Sequence, residues 1–216
     1  MDLVRTSLAT SLARPGGNIT GIQVLQTDMF AKRLQLLKEL VPHLARVGRL
    51  SETVTLSVDE FVTAERERAR EEARAAARSL DLRLHFYVAT RPEDVPGLVG
   101  DMIKHDDQGM VVVGSPFMSA HRQQIIDLMA RHHIAAMYGS KTYVLPGGLI
   151  SYGWDDSVLV SRAAAYVDKI LKGAKAGDLP IEQPTKFELV INLKAAKAFG
   201  LSIPPSLLLR ADQVIE

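Results

Sequence analysis

Apolar residues recur along the chain with two spacings, one typical of helices and the other typical of short strands. The clearest helical pattern spans residues 59–80, where a narrow apolar stripe runs among arginines and glutamates. An earlier helix, which Thr27 or Asp28 would cap, ends at Pro42 because proline lacks the backbone N–H that continues a helix. A third helix is predicted from Leu159 to Leu171.

Short apolar runs separate these helices and predict β-strands. Residues 82–88 alternate between apolar and polar side chains, as in a strand with one buried face. Residues 110–113 and 134–138 are continuously apolar, which is typical of strands that are covered on both faces. Further strands are predicted at 19–22, 46–50, 149–152 and 187–191.

Strands that alternate with helices predict an α/β fold with a doubly wound, mostly parallel sheet. Ligands of such sheets bind in the crevice beyond the carboxyl ends of the strands. This rule selects four loops that follow predicted strands: Ser51–Thr53, Thr90–Arg91, Ser115–Phe117 and Tyr138–Ser140.

The composition excludes several classes of function. The 216 residues include 26 Lys and Arg and 25 Asp and Glu, and this balance gives no electrostatic reason to expect nucleic acid or an anionic membrane as a partner. Cysteine is absent, which excludes thiol catalysis and cysteine-based metal sites. The sequence also lacks a Walker loop, a dinucleotide glycine fingerprint, a zinc-protease motif and a nucleophile elbow, so we predict no enzyme and no cofactor.

The six histidines do not form a recognisable metal motif. No two of them stand four residues apart, and His132 and His133 point to different sides of a helix. We therefore interpret the histidines as solvated or helix-end residues and predict no metal site.

Candidate binding residues lie where predicted strands end. Ser115 could be a nucleophile, although no adjacent base is identifiable, or could contact a ligand, or could cap the next helix. Tyr138-Gly139 and Tyr152-Gly153 repeat an aromatic–glycine pattern that suits a small organic ligand, because the rings offer faces for packing. Plain transitions from strand to loop would give the same pattern.

Several longer segments of the chain together form a recognisable set. The most specific of them is Asp178–Lys194, DLPIEQPTKFELVINLK. The others are Ser11–Gly21, Ala31–Pro42, Tyr152-Gly153, Ala165–Gly173 and Ile203–Glu216. These segments resemble one bacterial family, the ABC-transporter substrate-binding proteins of the tryptophan/tyrosine-binding type.

This resemblance implies a type I periplasmic-binding-protein fold, in which two α/β lobes close on a small ligand. Residues 1–21 would be the crossing segment from lobe 1, residues 22–150 a complete lobe 2, and residues 151–216 the C-terminal part of lobe 1. Two such lobes need about 300 residues, so we expect an N-terminally shortened chain. A partial lobe 1 would expose apolar faces, which favours self-association.

The function implied by the resemblance is that of a solute-binding component of an ABC importer, which delivers an amino acid-like ligand to a permease without chemistry. The expected ligand contacts are Ser51, Thr53, Ser115, Phe117, Tyr138, Gly139 and Tyr152. Residues 48–53 replace the apolar strand and Asn-Pro turn usual in the family, and Arg49 in a buried strand must reach solvent or be costly.

Two predictions about location follow, and they differ. The family resemblance implies the periplasm, whereas the first 21 residues lack the continuous apolar segment of a secretory signal, so the chain as given is expected to stay cytoplasmic. The alternative function is therefore an intracellular small-molecule sensor or effector domain of the same fold.

Overall fold

A computed structural model of the chain describes residues 3–24, 26–52 and 60–216. Helices and strands alternate along most of this length, as the periodicity predicts. Their order is α1 (Gln26–Leu40), β1 (Arg46–Glu52), α2 (Glu60–Arg78), β2 (Arg83–Ala89), α3 (Asp94–Lys104), β3 (Gly109–Val112), α4 (Pro116–Ala120), α5 (Arg122–Arg131), β4 (Ala135–Tyr138), α6 (Lys141–Val144), β5 (Ile150–Trp154), α7 (Asp156–Leu171), a 3₁₀ turn (Ala176–Asp178), β6 (Phe187–Asn192), α8 (Leu193–Ala198), α9 (Pro205–Leu208) and β7 (Gln213–Ile215).

The strands form one sheet in the order β2-β1-β3-β4-β5-β6-β7. The neighbouring strands run parallel in five pairs: β1–β2, β1–β3, β3–β4, β4–β5 and β6–β7. The predicted fold class, α/β with a mostly parallel sheet, is confirmed. Because β1, β2, β3 and β4 run in one direction, their carboxyl ends lie at the same edge of the sheet.

Successive residues of the central strands belong to two different hydrophobic clusters. Val111 packs with residues of α1, α2 and α8, whereas Met110 and Val112 pack with residues of α3 and α5. Since neighbouring side chains of a strand point to opposite faces, helices cover both faces of the sheet. This explains why the sequence of β3 is continuously apolar.

The chain divides into two compact units with three crossings between them. One unit combines the described residues up to 26 with residues 154–187, and the other combines residues 27–153 with residues 188–216. The first two crossings follow residues 26 and 153, and the lobe boundaries after residues 21 and 150 that the resemblance implies stay a prediction. The predicted division differs in its last part, where residues 188–216 group with the second unit.

Residues 188–216 join the second unit because their strands extend its sheet and their side chains contact α1. The backbone N–H of Leu189 donates to a carboxylate oxygen of Asp212 at 2.8 Å, which ties β6 to the start of β7. The Ser206 hydroxyl and the Arg210 guanidinium both donate to the Glu39 carboxylate at 2.6 Å. These bonds lower the pKa of Glu39, with the Ser206 hydrogen bond as the largest cause.

The first unit is built around α7 and the segments that pack on it. The Tyr166 hydroxyl donates to the carbonyl of Pro180 at 2.6 Å, and the N–H of Ile181 donates to the carbonyl of Leu12 at 2.7 Å. The strand predicted at 19–22 is reduced to a single bridge between Ile22 and Glu182.

Helix α7 also exposes apolar side chains on its surface, namely Val158, Val160, Val167, Ile170 and Leu171. Self-association through this part of the chain stays a prediction. Among the helices of the described residues, none is long and apolar enough to cross a lipid bilayer.

Gly153 allows β5 to approach the end of β4 more closely than any other residue type would. A Cβ at this position would lie 1.8 Å from the carbonyl oxygen of Gly139, which is backbone and cannot rotate away. The two strand ends therefore meet backbone to backbone.

We expect Gly153→Ala to lower the free energy of unfolding by about 2 kcal/mol, because the added methyl forces the two strands apart. The matched control is Gly100→Ala in α3, where a Cβ meets no described atom within 4 Å and alanine gains up to about 1 kcal/mol of helix propensity. Urea unfolding of both variants measures the difference. Equal midpoints for the two variants would contradict this close approach.

Candidate functional site

A cavity of about 420 Å³ lies in the second unit at the carboxyl ends of β1, β2 and β3. Its walls come from the ends of these strands, from the residues that follow β3, and from one side of α2. The lining residues are Arg49, Ser51, Glu52, Arg66, Glu67, Ala69, Arg70, Val88, Val113, Gly114 and Ser115. The cavity thus lies at the edge that the topology rule for parallel sheets predicts.

Two of the predicted contact residues, Ser51 and Ser115, line this cavity. Ser51 is buried near the end of β1, and its hydroxyl accepts a hydrogen bond from Nη1 of Arg49 at 3.3 Å. Ser115 has extended backbone before α4, and its hydroxyl accepts a bond from the N–H of Met118 at 3.1 Å. Ser115 is therefore the N-cap of α4, one of the interpretations that the sequence leaves open.

Arg49 reaches the cavity from the middle of β1, on which apolar side chains would be expected. Its guanidinium carbon lies 5.7 Å from the ring centre of Phe30 and 5.9 Å from that of Phe86. Partial burial, and secondly repulsion from Arg70, lower the pKa of Arg49 to about 10, so the group is still a cation at neutral pH. The aromatic faces replace part of the hydration that the cation loses.

Helix α2 brings further charges to the same cavity. The Arg70 guanidinium lies 5.6 Å from the ring centre of Phe86 and is paired with Glu67 at 3.0 Å. Glu52 at the end of β1 adds a half-buried carboxylate to the lining. The cavity therefore offers guanidinium donors, carboxylate acceptors and two serine hydroxyls.

Gly139 and Tyr152 have a different environment, in which a buried arginine holds the ends of β4 and β5. Nε of Arg33 in α1 donates to the carbonyl of Tyr152 at 2.7 Å, and its Nη2 lies 3.5 Å from the carbonyl of Gly139. Arg33 is 1% exposed, and this burial lowers its pKa to about 10. Gly139 and Tyr152, which were predicted as ligand contacts, thus use their backbone carbonyls to accept hydrogen bonds from Arg33.

The structure places the other aromatic candidates in or against the core. Tyr138 is 1% exposed and stacks on Tyr143 with ring centres 4.9 Å apart, and burial raises its pKa. Phe117 packs against the same core cluster, with its ring 5.1 Å from that of His121. Neither residue lines the cavity described above. Thr53, which was also predicted, lies outside the described residues.

Sequence reasoning did not identify Arg33 or Arg70 as site residues. Arg33 lies within a helix whose other residues predict an amphipathic pattern, and Arg70 lies in the Arg- and Glu-rich stretch interpreted as a solvated face. One signal was available for Arg33: a charged residue directly before Leu34 on the apolar side of a helix needs a buried partner.

A second cavity of about 80 Å³ lies in the first unit. Trp154, Arg162 and Glu182 are among its lining residues. This volume is well below the range of about 300–1,000 Å³ that small-molecule sites occupy. The larger cavity at the sheet edge is therefore the candidate site.

A family model described as ABC transporter substrate binding protein matches residues 1–215. The chain belongs to this family. Its members are substrate-binding proteins and not enzymes, which confirms both the resemblance and the prediction that no catalysis takes place. The family match covers both compact units of the described structure.

A curated relative is the tyrosine-binding protein of Clostridioides difficile strain R20291, which is 24% identical over 206 residues. This match covers 93% of the present chain but only 55% of the relative, so the chain spans about half of that protein's length. The relative's name is consistent with the family assignment.

Two solved structures are similar over nearly the whole chain. One is the ABC domain in complex with L-Trp from Streptococcus pneumonia, with a TM-score of 0.81, 24% identity, and coverage of 100% of this chain and 69% of that one. The other is a conserved domain protein from Vibrio cholerae O1 biovar El Tor, with a TM-score of 0.84, 23% identity, and coverage of 99% and 68%. At these identities the likeness shows a common fold.

We expect Arg33→Met to lower the free energy of unfolding by about 3 kcal/mol, because two buried carbonyls lose a charged donor. The matched control is Lys32→Met, since Lys32 is a half-buried cation of the same helix whose Nζ donates to the Gln35 side chain at 3.1 Å rather than to a strand carbonyl. Urea unfolding at neutral pH measures both variants. A loss below 1 kcal/mol for Arg33→Met, or one equal to that of the control, would show that the strand ends do not depend on this arginine.

Proposed function

We propose that the chain binds a small amino acid-like solute at the carboxyl edge of its sheet, as the receptor of an ABC importer. The observation that carries this proposal is the cavity of about 420 Å³ lined by Arg49, Ser51 and Ser115. Its volume lies within the range of about 300–1,000 Å³ for small-molecule sites. Ser51 and Ser115 are kept as proposed contacts because both line it.

The cationic side of the cavity supports recognition of a carboxylate. Arg49 is held in place by Phe30 and Phe86, so its guanidinium is oriented before a ligand arrives. A preorganised guanidinium can bind a carboxylate through two parallel hydrogen bonds, which a lysine could not do. The adjacent serine hydroxyls can donate to the same carboxylate.

The acidic side of the cavity supports recognition of an ammonium group. Glu67 is already paired with Arg70, whereas Glu52 lies beside Ser51 and lines the same space. A solute with one carboxylate and one ammonium would satisfy Arg49 and Glu52 together. This pairing favours a zwitterionic amino acid over a simple organic acid or a sugar.

The names of the relatives suggest which side chains to test first. One relative is called a tyrosine-binding protein and one similar structure contains L-Trp. We propose L-tyrosine and L-tryptophan as the first ligands for this chain. Delivery to a membrane permease, and a periplasmic location, are proposed with the same function.

The experiment is thermal unfolding and calorimetric titration of the chain with L-tyrosine and L-tryptophan, each compared with two analogues. Tyramine and tryptamine lack the carboxylate, and the corresponding aryl-propionic acids lack the ammonium group. A ligand that binds the folded state raises the unfolding midpoint by mass action. We expect a shift with an amino acid and a smaller one, or none, with either analogue.

Arg49→Met tests the site itself, because it removes the guanidinium and keeps an apolar side chain beside Phe30 and Phe86. We expect an affinity at least about tenfold weaker, as for the loss of a charge-assisted hydrogen bond. The matched control is Arg83→Met, which changes an exposed arginine at the opposite end of β2. A folded chain that binds none of these solutes, or an Arg49→Met variant with undiminished affinity, would contradict the proposal.

A further inference from the structure

Two histidines, a tyrosine and an aspartate meet at the amino end of β2, on the face of the sheet that α3 covers. His85 and Tyr87 are two residues apart in β2 and therefore point to the same face. His105 follows the last residue of α3, and Asp107 lies in the turn that leads into β3. The turn between α3 and β3 therefore brings His105 and Asp107 next to His85 and Tyr87.

A buried carboxylate connects the four side chains. Nδ1 of His85 lies 2.8 Å from Oδ1 of Asp107, and the Tyr87 hydroxyl donates to Oδ2 of Asp107 at 2.5 Å. The same hydroxyl lies 2.8 Å from Nδ1 of His105. The Asp107 side chain is fully buried, so both of its oxygens depend on these partners.

We propose that His85 and His105, supported by Asp107, form a site for a divalent transition metal such as zinc. Ligand atoms of these three residues lie within 4.8 Å of one another, and the two imidazole rings are 4.7 Å apart. Each ring uses Nδ1 for the contact with Asp107 or Tyr87, which leaves Nε2 as the coordinating nitrogen. Metal-binding histidines are typically oriented in this way by a carboxylate behind the ring.

The surroundings favour a metal over a purely structural hydrogen-bond network. A network that only satisfied Asp107 would need one donor for each oxygen, and His85 with Tyr87 already supply both. His105 is nevertheless drawn into the cluster although it is exposed. Its exposure gives an ion access from solvent and leaves the ring free to adjust toward typical distances of about 2.1 Å between zinc and nitrogen.

The donor set selects the class of metal. Two imidazole nitrogens, with water in the remaining positions, suit zinc, copper and nickel, whereas calcium and magnesium prefer sites made of oxygen atoms. The site lies at the amino ends of β2 and β3, and the proposed solute cavity lies at their carboxyl ends. A bound metal would therefore fasten the start of β2 to the end of α3 without entering the solute cavity.

The experiment is calorimetric titration of the untagged chain with zinc chloride in a buffer free of chelators and phosphate. We expect one zinc ion per chain. Titration with cobalt provides a second readout, because a low-coordinate site with nitrogen ligands gives visible absorption bands that hydrated cobalt does not give.

The variants His85→Gln and His105→Gln are expected to weaken zinc binding by at least about tenfold, the loss that changes even to supporting residues cause. His43→Gln is the matched control, since His43 is exposed and lies outside the cluster. Because His105 is itself exposed, its substitution keeps the fold intact, which circular dichroism would verify. Absence of zinc binding, or zinc affinity unchanged in His105→Gln, would overturn the proposal.

Discussion

Parallel strands in one sheet must place all of their carboxyl ends at the same edge, and the candidate site depends on that constraint. The residues that end β1, β2 and β3 are far apart in sequence, yet the register brings Glu52 beside Ala89 and Leu50 beside Val112. The helix that comes after β1 in the chain, α2, packs on one face of the sheet, whereas α3 and α4, which come after β2 and β3, pack on the other. The cavity opens at this edge of the sheet, as it does in other open α/β sheets.

The same edge holds two arginines that are largely removed from water. Arg33 gives its hydrogen bonds to carbonyls at the ends of β4 and β5, whereas Arg49 lies between two aromatic rings and lines the cavity. Burial lowers the pKa of each to about 10, so both are cations at neutral pH. Arg33 donates to the protein's own backbone, so of these two arginines only Arg49 lines the cavity.

The periodicity of the sequence predicted most of the sheet, because buried strands such as β3 and β4 leave a continuous apolar signal. It overestimated residues 19–22, where turn residues surround a single bridge. The family resemblance, not the periodicity, placed residues 188–216 with the first lobe. The contacts of Glu39 with Ser206 and Arg210 span more than 160 residues and leave no local signal of the grouping with the second unit.

The candidate site was less predictable than the fold, because contacts between residues far apart in sequence decide which side chains line it. The rule for parallel sheets selected Ser51 and Ser115, and both line a cavity at the strand ends, although their contact with a ligand stays a prediction. It could not separate them from Tyr138, which also lies at the carboxyl end of its strand but is stacked on Tyr143. Likewise, no spacing rule joins His85 to His105, because the turn after α3 brings them together.

The most direct test of the central claim is hydrogen exchange of the chain with and without a saturating aromatic amino acid. The account predicts added protection at amides of residues 49–52 and 113–115, which end β1 and follow β3. Residues 83–85 and 105–109 at the opposite edge should exchange at unchanged rates. Protection confined to that opposite edge, or no protection at 49–52 and 113–115, would contradict a solute site at the carboxyl ends of the strands.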